Sequence, residues 1–215
     1  MTDLSRDTWE IMRQMRGCEV ELQIAFQCAP LITGIKESNL LNIGQNNYQR
    51  MKEILEGSEL SIYPLGLHAG RITVFLYHKE RLEKFFSKDA VKDLMRRIGY
   101  TDTSLQKVLP VFRAHYQQYL KDKQTFPHEM GLLLGYPPED VEGFIRNCGK
   151  NYLYSGYWKV YDKPQEKIRL FQQYEHSREK LIQLLSYGMH IEEIIAVCGN
   201  AEVWQLLDCD CRYAS

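Results

Sequence analysis

Cys28, Lys36, Arg71, His128 and Glu129 each stand in or beside a stretch punctuated by glycine or proline, where backbone is held close and side chains can converge. A thiol brought near Lys, Arg or His has its thiolate stabilised and can serve as nucleophile or redox group, with His128 or Glu129 moving the proton. The same residue types also fit a purely structural role: a buried cysteine acting as a small hydrophobe, a histidine satisfied by a helix end, and cations at the surface. The apolar neighbours Ile24, Ala25, Phe26 and Ala29 favour burial of Cys28.

A second constellation is aromatic. Tyr152, Tyr154, Tyr157, Trp158 and Tyr161 are interleaved with Lys150, Lys159 and Lys163. On a strand, Tyr152, Tyr154 and Trp158 share one face and Tyr157, Lys159 and Tyr161 the other, with Gly156 letting a neighbour approach the backbone. One face can be core while the other stacks on a planar ligand such as a flavin, a porphyrin or a base. An aromatic-rich core strand satisfies the same pattern.

Other motifs fail on inspection. His128-Glu129 opens like the zinc-protease helix, but position 132 is Leu where the second histidine belongs. His68 and His78 are set across two expected strands and His115 stands alone in a helix. Cys209-Asp210-Cys211 with Cys198 upstream can clip a soft metal or form a strained disulfide, but lies near the chain end. Gly143 to Asn151 imitates a phosphate loop, yet five residues separate its glycines, Asn151 replaces the hydroxyl residue, and a helix precedes it. The stretch from Arg178 through Gly188 to Gly199 and Val203 has helix-turn-helix spacing. Its third helix offers Glu202, Asp208 and Asp210 against Arg212, which does not suit DNA.

The elements that must position these residues alternate in type. Helical spacing runs from Trp9 to about Cys28, kinked near Gly17 and interrupted by Pro30 and Gly34. A short strand over Asn39–Ile43, a helix over Gln45–Leu55, and β-branched runs at Leu60–Tyr63 and Arg71–Tyr77 follow. Helices then dominate: Pro127 suits a first turn, Gly135 a C-cap, and Pro138-Glu139-Asp140 a new start with acids where the helix dipole favours them, that helix ending at Gly149. Tyr152–Tyr161 reads as a further strand, Gln165–Tyr187 and Met189–Leu207 as helices. The expectation is an α/β (mixed α+β) protein, its small mixed sheet covered by helices. An α/β domain over 1–164 meets a helical C-terminal subdomain over 165–215 at the hinge Asp162–Gln165.

The 215 residues allow one sizeable core, since a chain of this size buries roughly 70% of its unfolded surface. A formal net charge of −1 gives no broad attraction to nucleic acid or anionic lipid. Six cysteines in so long a chain need no disulfide framework, and the N-terminus lacks the basic start and apolar run of a signal peptide. No apolar run approaches the ~20 residues that span a bilayer. A cytoplasmic location with free thiols is expected.

Several patches resemble a family of uncharacterised proteins of anaerobic Gram-positive bacteria, known as a domain of unknown function. They are Cys28-Ala29-Pro30 with Gly34 and Lys36, Gly70-Arg71 leading to Tyr77, Phe126–Val141 with Gly143-Phe144-Ile145, and Gly149-Lys150-Asn151-Tyr152 with Gly156–Tyr161. The resemblance covers about Cys28 to Tyr161. It implies no activity to carry over, and it associates the chain with iron and redox homeostasis. The leading expectation is a cytosolic bacterial accessory protein binding a small planar or metal-containing ligand, or a protein partner, through Lys36, Arg71, Tyr157 and Trp158 together with Cys28 and His128; the cofactor is unknown. The alternatives are a thiol-dependent enzyme using Cys28 with His128 or Glu129, and a helix-turn-helix regulator. All the site assignments require the cysteine bend, the His128 helix start and the Tyr157-Trp158 strand to face one another.

Overall fold

A computed structural model describes Glu10, Arg13, Met15 and residues 17–199. The element order is α1 (Glu19–Ile32), β1 (Ser38–Gly44), a 3-10 turn (Gln45–Asn47), α2 (Tyr48–Leu55), β2 (Leu60–His68), β3 (Arg71–His78), α3 (Lys79–Phe86), α4 (Asp89–Arg97) and α5 (Leu105–Asp122). The chain continues through α6 (Glu129–Leu133), α7 (Pro138–Arg146), β4 (Tyr154–Ser155), β5 (Lys159–Val160), α8 (Pro164–Ser186) and α9 (Ile191–Gly199). No helix of the described residues is long and apolar enough to cross a membrane.

The mixed α/β class is as expected, and every bonded strand pair in the sheet is antiparallel. Its order is β1-β3-β2, with β3 antiparallel to both neighbours. β1 and β2 therefore run the same way, joined across α2, but the hairpin partner β3 lies between them. The hairpin turns at Ala69-Gly70, both with positive φ, as a tight two-residue turn matched to strand twist requires. Pro64 does not stop β2: it sits on an edge strand, where its missing N–H costs no ladder bond, and the register shifts there before the strand continues to His68.

Period-2 alternation on β3 divides the interior. Val74 and Leu76 join an aliphatic cluster with α1, α2, α8 and α9, whereas Phe75 points the other way into a cluster with Phe85, Phe86, Phe112 and Tyr116 from α3 and α5. A third cluster holds Trp158, Val160, Phe171 and Tyr174, packing the β4-β5 hairpin on α8.

Pro30 does not interrupt α1 either; the helix runs two residues past it and ends before Gly34. A proline deprives the carbonyl four residues back of its helical donor. That carbonyl is Phe26 O, and Arg178 Nε of α8 donates to it at 2.9 Å. The tertiary contact replaces the bond the sequence removes, so the helix persists where local rules end it.

The run from Tyr152 to Tyr161 is not one strand but a two-residue-per-arm hairpin, β4 pairing β5 antiparallel. The face assignment made for a continuous strand therefore fails: Trp158 is buried, Tyr152 and Tyr154 are exposed, and the chain reverses at Gly156 and Tyr157. Gly156 does admit a close neighbour, the chain's own Phe171. A Cβ at 156 would lie 2.4 Å from that ring.

Candidate functional site

The site grows from the segment 126–146. Pro127 begins the turn leading into α6, Gly135 takes φ +72 after it, and Pro137-Pro138 restarts the chain as α7. This places Asp140 in the first turn of α7, buried, with its carboxylate aimed at the hairpin. It accepts from Trp158 Nε1 at 2.8 Å, from Tyr161 N at 2.7 Å and from Asp162 N at 3.1 Å. A carboxylate at a helix N-terminus is favoured by the dipole, and here it also meets the requirement of a buried indole N–H for an acceptor. Gly143 lets α7 approach the hairpin's exit, since a Cβ there would fall 2.4 Å from the Tyr161 ring.

Between these elements lies a cavity of about 360 Å³ lined by Phe126, His128, Met130, Val141 and Phe144 on one side and by Tyr136, Tyr157, Trp158 and Lys159 on the other. Tyr136 and Trp158 stack at 4.6 Å between centroids, tilted 26°. His128 packs 5.8 Å from Phe126 and 6.1 Å from Phe144, and partial burial lowers its pKa, so its imidazole is neutral at pH 7. Tyr157 Oη donates to Glu175 Oε1 at 2.7 Å, and burial raises its pKa. Lys159 Nζ donates to Gly149 O at 2.6 Å.

Three of the residues singled out from sequence thus share one cavity: His128, Tyr157 and Trp158. The other four stand elsewhere. Glu129, adjacent to His128, turns inward and accepts from His115 Nδ1 at 2.7 Å, with the buried Tyr100 hydroxyl against it lacking a well-formed hydrogen bond. Arg71 is exposed at the β2-β3 turn and donates from Nη2 to Asn42 O at 2.7 Å.

Cys28 and Lys36 do lie together, but behind the aromatic wall. Cys28 is fully buried, contacted by Asn39 Nδ2 at 3.8 Å, and burial pushes its thiol up to about 12. Lys36 Nζ donates to Asn39 Oδ1 at 3.1 Å and sits 5.5 Å from the Tyr136 ring centre and 5.8 Å from that of Tyr174; burial lowers its pKa to about 8. Desolvation outweighs the Lys36 charge at the thiol, so the pair holds a neutral sulfur rather than a thiolate.

The residues not identified from the sequence are Phe126, Tyr136, Asp140 and Phe144. A signal existed for one of them: an isolated tryptophan expected to be buried needs an acceptor, and Asp140 follows two prolines that fix its direction. Among the described residues no group of three or more His, Cys, Asp or Glu could hold a metal ion. The Cys209-Asp210-Cys211 motif and the third helix of the helix-turn-helix spacing lie outside the described residues.

A family model described as a protein of unknown function (DUF3793) matches residues 24–195, most of the chain and the whole of this cavity. The chain belongs to the DUF3793 family. No curated protein matches it, and no solved structure does. Within this DUF3793 protein, then, the physical reading of the cavity carries the functional argument.

Proposed function

We propose that this DUF3793 protein is an accessory protein that binds a small planar ligand in the cavity between α6, α7 and the β4-β5 hairpin. The observation that carries the reading is the cavity itself. A hollow of about 360 Å³ walled by rings from separate elements, with few polar side chains among them, has the size and lining of a small-molecule site. Aromatic rings confer affinity for a flat molecule by offset and edge contacts, while the neutral His128 offers one donor and one acceptor to orient it. Within the set of ligands considered from sequence, the planar one is favoured over a metal-containing one because His128 is the one imidazole in the lining and no thiol joins it.

The test uses 2-naphthamide, an uncharged planar probe, on the full chain. Binding should shift the methyl signals of Met130, Leu134 and Val141, and His128→Trp, which fills the cavity, should abolish the shifts while the fold is retained. Unshifted methyls at saturating probe would overturn the reading. Absorbance and mass spectra of the protein as purified would reveal a ligand that travels with it.

A thiol-dependent activity at Cys28 is the second reading, and its support is the proximity of Lys36. Complete burial and the raised thiol pKa weigh against it.

A further inference from the structure

The charges around the cavity are unequal, and the inequality names a ligand class. Resting on the binding reading above, we propose that the molecule held there is a planar aromatic acid, its ring against the Trp158 wall and its anionic group paired with Lys159.

The one carboxylate in the lining is Asp140, and its oxygens are taken by three N–H donors of the chain: the indole of Trp158 and the backbone of Tyr161 and Asp162. With three of its roughly four acceptor positions used, Asp140 has little left to offer a cationic ligand. Lys159 is in the opposite condition. Its ammonium has three donors, of which one meets Gly149 O, and it lies 5.1 Å from the Tyr152 ring centre and 5.8 Å from that of Phe144. Among the described residues no carboxylate pairs with it. A cation half withdrawn from water on two aromatic rings, with donors to spare and no counter-ion, is a place for an anion.

A second cation stands behind the same wall. Lys36 lies behind Tyr136, the ring that stacks on Trp158, and places a second positive charge on the far side of the wall, offset in part by the nearby Glu37. The hydroxyl of Tyr157 and the indole of Trp158 are already committed to Glu175 and Asp140, so neither competes for the ligand's acid group.

The experiment compares three probes of one shape on the full chain by calorimetry: 2-naphthoate, 2-naphthamide and 2-naphthylmethylammonium. A charge-assisted hydrogen bond in a partly dry site predicts at least about tenfold tighter binding of the acid than of the amide, and weaker binding still of the ammonium. Lys159→Gln should bring the acid-to-amide ratio to near one while leaving the amide's affinity within about twofold. Should that variant fold poorly, the wild type alone decides the matter. Its acid-to-amide ratio should fall as salt is raised, because a rim ion pair is screened and stacking is not. Equal binding of acid and amide, or tightest binding of the ammonium, overturns the acid while sparing the cavity reading. Binding of none of the three overturns both.

Discussion

Two polar neighbourhoods flank the Tyr136 ring and differ in almost every physical respect. On one side Cys28 and Lys36 share Asn39 inside a dry interior. On the other, His128, Tyr157 and Lys159 look into a hollow. Both contain residue types that do chemistry, yet in the first burial drives the groups toward their neutral forms, thiol and amine alike. In the second the polar atoms are either spent on the fold, as with Asp140, or left with capacity, as with Lys159. Reactivity follows access and unspent hydrogen bonds more than residue identity.

The sharpest way to break this contrast is at the sulfur. A thiol at about 12 has roughly a thousandfold less thiolate at neutral pH than an ordinary one, so alkylation of Cys28, read by peptide mass, should run at least about a thousandfold slower than that of a cysteine in an unstructured peptide. A rate within tenfold would show that the interior is not sealed and would revive the thiol reading.

Next is Trp158→Ala. It removes a large buried ring from the third cluster and leaves Asp140 one donor short, and should lower the unfolding free energy by about 4 kcal/mol in denaturant titrations. A loss under 1 kcal/mol would mean that the hairpin is not held by this wall.

The Lys36 side predicts a pH dependence. Its folded pKa, about 8, lies below the ordinary 10.5, so between these values the unfolded chain binds more protons and stability rises with pH. Cys28 and Cys198 act oppositely: at about 12 folded against 9.0, they retain protons that the unfolded chain releases, and stability declines from about pH 9. The Lys36 contribution is about 1 kcal/mol from pH 8 to 9, of which the two thiols cancel most, so it is read as the difference between wild type and Lys36→Met, which should widen by about 1 kcal/mol over that interval. A wild-type profile parallel to that of Lys36→Met would contradict the buried amine. The smallest effect belongs to Tyr157→Phe, which deletes the bond to Glu175 and should cost about 1 kcal/mol with little change in planar-probe affinity.

Much of the fold was legible. The β-branched runs at 60–63 and 71–77, the Pro138 start and the left-handed Gly135 all follow from local chemistry and all occur, whereas Pro127 lies just before its helix, which begins at Glu129 after the N-cap His128. The misreadings share one cause. Pro30 was expected to end its helix and the 152–161 stretch to run straight, and in each case a distant residue decided otherwise: Arg178 supplies the donor that Pro30 lacks, and Phe171 and Asp140 hold the hairpin bent. Of the expected site, His128, Tyr157 and Trp158 converge, while Glu129 turns inward to His115.

By itself the amino-acid order determined the strands, most helix ends and the residues rich in chemical possibility, because dihedral preference and hydrophobic period act over a few positions. Which of those residues meet, which are dried out and which keep a spare donor was decided only when segments remote in sequence packed together, since desolvation and hydrogen-bond satisfaction belong to the assembled interior and not to any local run.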